Sequence, residues 1–334
     1  MLTKPSIPLV RLSLLMPFVH ELDRRGLDTN AVLAANGLVR STVADSGVFV
    51  PQIVIHRFLE DAALAADDPF LAVAVGENLD WSGWSPVFKA AANARNLVGF
   101  LVRFIRAASD EASSARHELM VGPEFATFRE KRTTEQEIDP AQNDAFTAAY
   151  TLSLLRSAAG PVWEAGQVRI TVCDPAALPE RYMGVHILGG DRWGLSVRFP
   201  SAWLVEPFHR ETFLGATPNG GGESDIPRHF LEALRHVISP LLHQGDLSLP
   251  SVSARLGISP QSLQRKLRAG GSTLSSVIQD LKKDKAIRQL LQTNRPISEI
   301  SAELGFSNPN SFTRAFKGWT GSSPRAYRKE HRDL

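Results

Sequence analysis

ISEISAELGFSNPNSFTRAFK, residues Ile297–Lys317, decides the fold of the C-terminal third, because a second stretch, LPSVSARLGISPQSLQRKLR at Leu249–Arg268, repeats it. Leu256-Gly257-Ile258-Ser259 matches Leu304-Gly305-Phe306-Ser307, Arg265 matches Arg314, and Leu267 matches Phe316; the second copy has one extra residue after its Ser. In each copy two apolar residues four apart share one helix face, Val252 with Leu256 and Ile300 with Leu304. A Gly follows where a helix ends in a left-handed residue. Ser259 and Ser307 then stand where an N-cap belongs, and Pro260 and Pro309 fall in the first turn of a second helix. Leu263 and Leu267, or Phe312 and Phe316, supply that helix's apolar side. The pattern predicts two helix-turn-helix units, at 249–268 and 297–317.

The solvent faces of the two second helices carry Gln261, Gln264, Arg265 and Arg268 in one copy and Asn310, Thr313, Arg314 and Lys317 in the other, with no acidic residue. Arg, Gln and Asn make bidentate contacts to guanine and adenine edges, and Lys and Arg at the flanks suit phosphates. The alternative is a helical-hairpin repeat packed against protein. Between the copies, Leu274, Val277, Ile278, Leu281, Ile287, Leu290 and Leu291 fit one long helix with a phase slip near Asp284-Lys285. A connector of that stiffness would hold two second helices about one duplex turn apart, roughly 34 Å, for successive major grooves.

Charge agrees with this division. The net charge of +2 hides 17 Lys and Arg against 9 Asp and Glu from Asp225 onward, leaving 20 against 26 before it. A basic third beside an acidic remainder points to a polyanionic partner, with a plain surface bias as the alternative. The break falls at GATPNGGGESD, Gly215–Asp225, read as a linker. The expected organisation is an N-terminal domain over 1–214, a linker over 215–225 and an all-α domain over 226–334.

The region from about Ile226 to Arg328 resembles the DNA-binding domain of the AraC/XylS family of bacterial transcription regulators. The two LG[IF]S turns, the connector with Ala286, and FSNPNSFTRAFKGWTGSSPRAYR at Phe306–Arg328 carry the resemblance. It implies that each second helix reads bases in its own major groove. The base-reading positions then fall on Gln261, Gln264 and Arg265, and on Asn310, Ser311 and Arg314. Arg268, Thr313 and Lys317 are assigned to phosphate. The family usually carries Ala where this chain has Ser253 and Ser301, so each hydroxyl needs a partner, expected at the carbonyl four residues back.

The N-terminal part reads as α+β, mostly helical with a small, largely antiparallel sheet. Apolar spacing predicts helices at Leu9–Leu22, from a cap at Thr29 to Asn36-Gly37, at Ile53–Ala66, at Leu97–Ala108 and at Ala145–Ser157. Alternation predicts strands at Val168–Val172 and Leu195–Phe199, and a hairpin of His117–Val121 with Phe125–Lys131 about Gly122-Pro123. Four stretches, Val48–Ala63, Trp81–Arg106, Gly160–Ile170 and Gly194–Phe208, resemble the mostly helical sensor of a second group of these regulators rather than the β-barrel sensor of the best-known one. That resemblance implies a small-molecule effector and often a homodimer. Trp81 and Trp84, two indoles in a Gly/Ser/Pro loop, are assigned to the effector pocket or a dimer contact.

No phosphate loop, dinucleotide fingerprint, G-x-S-x-G or H-E-x-x-H is present, so neither enzyme activity nor a cofactor is expected. The nine His are scattered; His229, His236 and His243 recur every seven residues and read as a linker-helix stripe rather than metal ligands. One cysteine, Cys173, builds neither a disulfide nor a cysteine-only metal site and reads as buried filler. No stretch approaches the roughly 20 apolar residues of a membrane span, and the N-terminus, interrupted by Pro5, Pro8, Arg11 and Pro17, does not read as a secretory signal. The expectation is a cytoplasmic regulator, an activator, whose partners are double-stranded DNA, an effector and a second copy. RNA polymerase is a further candidate partner. A constitutive DNA-binding protein whose N-terminal domain only dimerises is the alternative, and a catalytic N-terminal domain on a DNA-binding anchor the third reading.

Overall fold

The computed structural model describes residues 7–80, 85–135, 137–208, 227, 229–243 and 247–332. The chain divides into two compact units, Met1–Ile226 and Pro227–Leu334. The stretch read as a linker, Gly215–Asp225, and the indoles Trp81 and Trp84 lie outside the described residues.

The first unit opens with β1 (Leu9–Arg11), a 3-10 turn at Leu12–Leu15 and α1 (Met16–Arg24). The single helix expected from Leu9 to Leu22 is therefore corrected. Leu9, Val10 and Arg11 pair antiparallel with β2 (Phe49–Pro51), a partner that local spacing cannot reveal. The helix starts only where Pro17 takes its first turn. Between β1 and β2 lie α2 (Thr29–Ala35) and α3 (Arg40–Val43). Asp28, not Thr29, caps α2, accepting from the Ala31 amide at 3.0 Å; the Thr29 hydroxyl instead donates to Asp23 at 2.6 Å.

Next come α4 (Gln52–Ala65), α5 (Leu71–Glu77), α6 (Ser85–Ala91) and α7 (Leu97–Ala108), then the hairpin β3 (Ala115–Val121) and β4 (Phe125–Arg132), then α8 (Ala141–Ala159). Strands β5 (Arg169–Val172), β6 (His186–Gly189) and β7 (Gly194–Pro200) complete a five-stranded sheet of order β3-β4-β7-β5-β6. All pairs are antiparallel except β5 with β6. Helix α8 packs on α4 and α5 and against β5 and β7. It is buried on nearly every side, as a helix between layers must be. Gly76 of α5 lets the two helices come close: a Cβ there would stand 2.7 Å from Ala149 Cβ and 2.8 Å from the Phe146 carbonyl. Ala126 and Phe128 of β4, Ile170 and Val172 of β5, and Leu195, Val197 and Phe199 of β7 join this core.

Two charged residues sit among them. Glu130 and Arg132 occupy the inward positions of β4, both buried. Arg132 pairs with Asp144 of α8, and both side chains are excluded from solvent. The other Asp144 oxygen accepts from the Cys173 amide at 3.0 Å. Cys173, expected to be buried filler, is half-buried beside this carboxylate. Burial, and then the Asp144 charge, pushes its thiol well above the ordinary value.

The second unit contains α9 (Phe230–Ile238), α10 (Leu249–Leu256), α11 (Pro260–Ala269), α12 (Leu274–Gln292), α13 (Ile297–Glu303), α14 (Pro309–Thr320) and α15 (Pro324–Arg332). Its core is built from Val252, Leu256, Leu263, Leu267, Ala286, Leu290, Ile300, Leu304, Phe312 and Phe316. The connector α12 is one continuous helix of 19 residues, roughly 28 Å long. Its phase slip is visible as a change of buried stripe, from Leu274 and Val277 to Ala286 and Leu290. That change lets it pack α9 as well as α13, α14 and α15.

Ser253 donates to the Pro250 carbonyl at 2.9 Å, three residues back rather than the four expected. The Ser301 hydroxyl is buried without a partner among the described residues. A buried hydroxyl that has lost water and gained nothing is a net cost. Ser301→Ala is therefore expected to stabilise the unit by about 1 kcal/mol. Ser253→Ala, which removes a satisfied hydroxyl, should be neutral or mildly destabilising. Urea denaturation of the two variants reads the contrast, and a loss of stability in Ser301→Ala would contradict it.

Candidate nucleic-acid interface and effector cavity

In both helix-turn-helix units the local sequence sets the turn. Gly257 (φ +62°) and Gly305 (φ +70°) adopt the left-handed conformation. Gly305 has a second constraint, since a Cβ there would meet the Leu242 carbonyl oxygen at 2.2 Å. Ser259 caps α11, accepting from the Ser262 amide at 3.2 Å. In the second copy the extra residue moves the cap from Ser307, as expected from the sequence, to Asn308. Its side chain accepts from the Ser311 amide at 2.8 Å. The longer second copy thus keeps its Pro at the first turn and its aromatic pair on the core side.

The buried stripes, Leu263 with Leu267 and Phe312 with Phe316, turn the opposite faces outward. Gln261, Gln264, Arg265 and Arg268 are exposed on α11, as are Asn310, Arg314 and Lys317 on α14; Ser311 and Thr313 are half-buried. Elsewhere in the unit several cations are engaged. Arg235 reaches Asp280 at 3.1 Å, Lys285 reaches Glu303 at 2.9 Å, Arg295 pairs with both Glu299 and Glu303, and Arg328 donates to the Arg295 carbonyl at 2.7 Å. Arg265, Arg268, Arg314 and Lys317 form no ion pair among the described residues, and Gln261, Gln264 and Asn310 make no side-chain hydrogen bond. The two faces thus present donors and acceptors that the fold does not consume.

Two cations outside the base- and phosphate-contact assignments lie against aromatic rings of this scaffold. Lys266 Nζ lies 5.8 Å from the Phe230 ring of α9, and Lys282 Nζ of α12 lies 4.5 Å from Phe306 in the second turn. A side chain at Gly270 would meet Leu231 of α9 at 3.2 Å. Helix α9 therefore touches the end of α11, while the segment after it touches the turn before α14.

The first unit holds a cavity of about 100 Å³. Leu14, Phe18, Ile55, Leu59 and Phe146 wall one part of it, and Gln52, His117 and Glu130 another. His117 Nε2 stands 3.3 Å from Glu130 Oε2, with its ring stacked on Phe128. Burial raises the Glu130 carboxyl, but the His117 hydrogen bond and the charges of His117, Arg132 and His56 more than reverse this and hold it below the ordinary value. Gln52 Nε2 lies 3.2 Å from His56 Nε2, and its Oε1 is buried with no partner among the described residues. The sequence reading missed all three polar residues. The available signal was the charge at inward positions 130 and 132 of an otherwise alternating strand.

His56 is 2% exposed, and burial, with Arg132 as a lesser cause, lowers its pKa to about 4. The unfolded chain takes up that proton near pH 6.5, whereas the folded chain does not until about pH 4. Unfolding therefore gains protons across this window, and stability falls with pH by up to about 3 kcal/mol. His56→Gln, neutral throughout, should lose correspondingly less in denaturation measured from about pH 7 to about pH 4.5. Parallel pH curves for the two proteins would refute the assignment.

With this geometry established, known proteins can be compared. A family model described as the arabinose-binding domain of AraC transcription regulators matches residues 26–208, and a helix-turn-helix domain model matches residues 252–330. The transcriptional activator NphR of Rhodococcus sp. is 33% identical over 101 residues, covering 30% of each chain. The ornithine utilization regulator of Pseudomonas aeruginosa is 35% identical over 106 residues, covering 31% of each. The chain thus spans about a third of the length of these two relatives. The regulator VirS of Mycobacterium tuberculosis is 26% identical over 301 residues, covering 81% of this chain and 82% of its own. Among solved structures, the regulator CdpR of Pseudomonas aeruginosa aligns over 90% of this chain and 96% of its own at 17% identity, with a TM-score of 0.37. The DNA-binding domain of AdpA, solved with a target DNA, aligns over 31% of this chain and 95% of its own at 25% identity, with a TM-score of 0.28.

An α+β unit that matches the arabinose-binding-domain model and a unit with two helix-turn-helix motifs define the class as that of AraC-type transcription regulators. The family model covers more than half of the sequence, and the chain belongs to the AraC family of transcription regulators. Among the described residues no helix is long and apolar enough to cross a membrane, and no cluster of three or more His, Cys, Asp or Glu is placed to hold a metal.

Proposed function

We propose that this chain is a sequence-specific, ligand-responsive DNA-binding regulator, not an enzyme. Residues 1–214 bind a small effector and dimerise. Residues 226–334 read double-stranded DNA with α11 and α14 in successive major grooves, and residues 215–225 connect the two. Gln261, Gln264, Arg265, Asn310, Ser311 and Arg314 contact base edges; Arg268, Thr313 and Lys317 contact phosphate. The observation that carries this reading is the pair of exposed, acid-free helix faces, whose Arg265, Arg268, Arg314 and Lys317 form no ion pair among the described residues. The basic balance of the C-terminal third supports it through counterion release.

Regulation follows as a shift between arrangements of the two DNA-binding units in a dimer, only one of which spans both half-sites. An effector can move that balance no further than its differential affinity for the two arrangements allows. Activation of transcription, contact with RNA polymerase and a cytoplasmic location belong to the same proposal. The test is selection of bound duplexes from a random pool, followed by titration of the winner with and without candidate metabolites. Enrichment of a two-part site whose affinity changes with a metabolite is the expected result. An unenriched pool would overturn sequence reading. A site indifferent to every metabolite, with a dimeric protein in sedimentation, would favour a constitutive regulator.

A further inference from the structure

We infer that the outer face of the five-stranded sheet is a second, sequence-independent contact to duplex DNA, made by Arg116, Arg129, Lys131, Arg169 and Arg198 on the phosphates that flank the site read by α11 and α14. The inference goes beyond the function proposed above and rests on it only for bringing DNA to the first unit.

The first observation is the register. Ala126 and Phe128, Leu195 and Val197, and Ile170 fill the core side, so the alternate residues of β4, β7 and β5 face outward. On that face the strands set Arg116 directly opposite Lys131, and Arg169 directly opposite Arg198. Like charges in directly opposite positions destabilise a sheet, so folding supplies no reason for two such pairs. An external anion does. The second observation is that the fold does not consume these charges. Arg116, Arg129, Lys131 and Arg169 are exposed, and Arg198 is half-buried with its guanidinium 3.7 Å from the Phe125 ring centroid. None of the five forms an ion pair or a side-chain hydrogen bond among the described residues, although Glu118 stands opposite Arg129. On the inner face of the same sheet Arg132 is paired with Asp144. The third observation is segregation. Residues before Asp225 hold 20 Lys and Arg against 26 Asp and Glu, yet the outward positions of the five strands hold five of those cations and one acid, Glu118. The remainder, 15 against 25, repels a polyanion and leaves this face to meet it. From Arg116 to Arg169 is three strand spacings across and four residues along, a diagonal of about 20 Å. No single small anion reaches cations so spread, whereas a duplex presents one charge per about 1.7 Å of its axis.

The test uses the full chain and two duplexes that share the selected site. One ends at the site's edges and the other carries about 20 further base pairs on each side; both are titrated by fluorescence anisotropy at several salt concentrations. The double variant Lys131→Gln with Arg169→Gln removes one cation from each like-charge pair. On the long duplex it is expected to flatten the salt dependence by about two units per bound chain, so that between about 50 and about 200 mM salt the parent loses roughly tenfold more affinity than the variant. On the short duplex the two proteins should agree. The variant should melt no lower than the parent, because a repulsion has been relieved in each pair. Glu118→Lys, which adds a cation to the same face, should steepen the long-duplex slope by about one unit, and this holds whether or not the double variant folds. Equal slopes for parent and double variant on the long duplex, equal losses on both duplexes, or a slope that Glu118→Lys leaves unchanged would each overturn the inference. So would self-association in sedimentation that the double variant weakens without any dependence on flanking DNA, which assigns the face to a second copy. The two readings fail separately. A site bound specifically, with flanks that add nothing, keeps base reading and removes this face. A slope that the double variant flattens on duplexes bound without sequence preference keeps the face and removes base reading.

Discussion

Truncating either recognition arginine is expected to cost about 1–3 kcal/mol of affinity at the cognate site, roughly 5- to 150-fold in Kd, and to relax the preference at one base pair each. Arg265 and Arg314 occupy equivalent places in the two repeats, both exposed and without an ion pair among the described residues. Arg265→Ala and Arg314→Ala should therefore leave thermal stability within about 0.5 kcal/mol of the parent, which separates lost reading from lost folding. Fluorescence anisotropy with cognate and single-substituted duplexes supplies the measurement. Lys317→Ala is the control. It is expected to weaken all sequences alike and to flatten the salt dependence by about one unit, because a phosphate contact releases counterions without reporting sequence. Arginine variants that lose affinity equally on every duplex would move Arg265 and Arg314 to the phosphate class. Unchanged binding in both would remove the two faces from the DNA altogether.

Asp144→Ala should be the most damaging single substitution in the first unit. Arg132 is fully buried in the sheet face, paired with Asp144 and donating to the Arg192 carbonyl at 3.1 Å, while its Nε has no partner among the described residues. Removing the carboxylate leaves a guanidinium charge inside the core and frees the Cys173 amide that the other Asp144 oxygen accepts from. Breaking one side of a buried pair typically costs about 3–5 kcal/mol. At about 2–4 °C per kcal/mol for a unit of this size, the melting temperature should fall by roughly 6–20 °C. The double variant Arg132→Met with Asp144→Leu should recover most of the loss, because it removes both desolvation penalties and keeps side-chain volume. Calorimetry of the three proteins decides the matter. A fall under about 1 kcal/mol in Asp144→Ala would mean that water reaches and screens this pair.

The two helix-turn-helix units and their exposed faces were legible in the sequence because everything they need is local. Helix period, Gly at the turn, a short polar cap and Pro in the first turn all act within a few residues. Placing Leu263 with Leu267, or Phe312 with Phe316, inward automatically turns the polar residues between them outward. Even there the inserted residue moved the cap from Ser307 to Asn308, since only the geometry tells which of two adjacent polar side chains meets the amide three residues on. The same limit explains Asp28 in place of Thr29.

What only the tertiary structure decided depends on residues far apart in the chain. Leu9–Arg11 has helical spacing but becomes a strand, because Phe49–Pro51 offers its backbone a ladder. His186–Gly189 has no alternation of its own and becomes a strand by parallel pairing with Arg169–Val172. The cavity draws Gln52 from a helix, His117 and Glu130 from two strands, and Phe146 from another helix, so no motif in one stretch announces it. The unpartnered Gln52 oxygen and the buried Arg132–Asp144 pair are facts of packing, set by which groups lose water together. The sequence by itself determined the two helix-turn-helix units, because their physics is short-ranged. The folded chain decided the cavity, because burial and charge pairing are properties of neighbours in space.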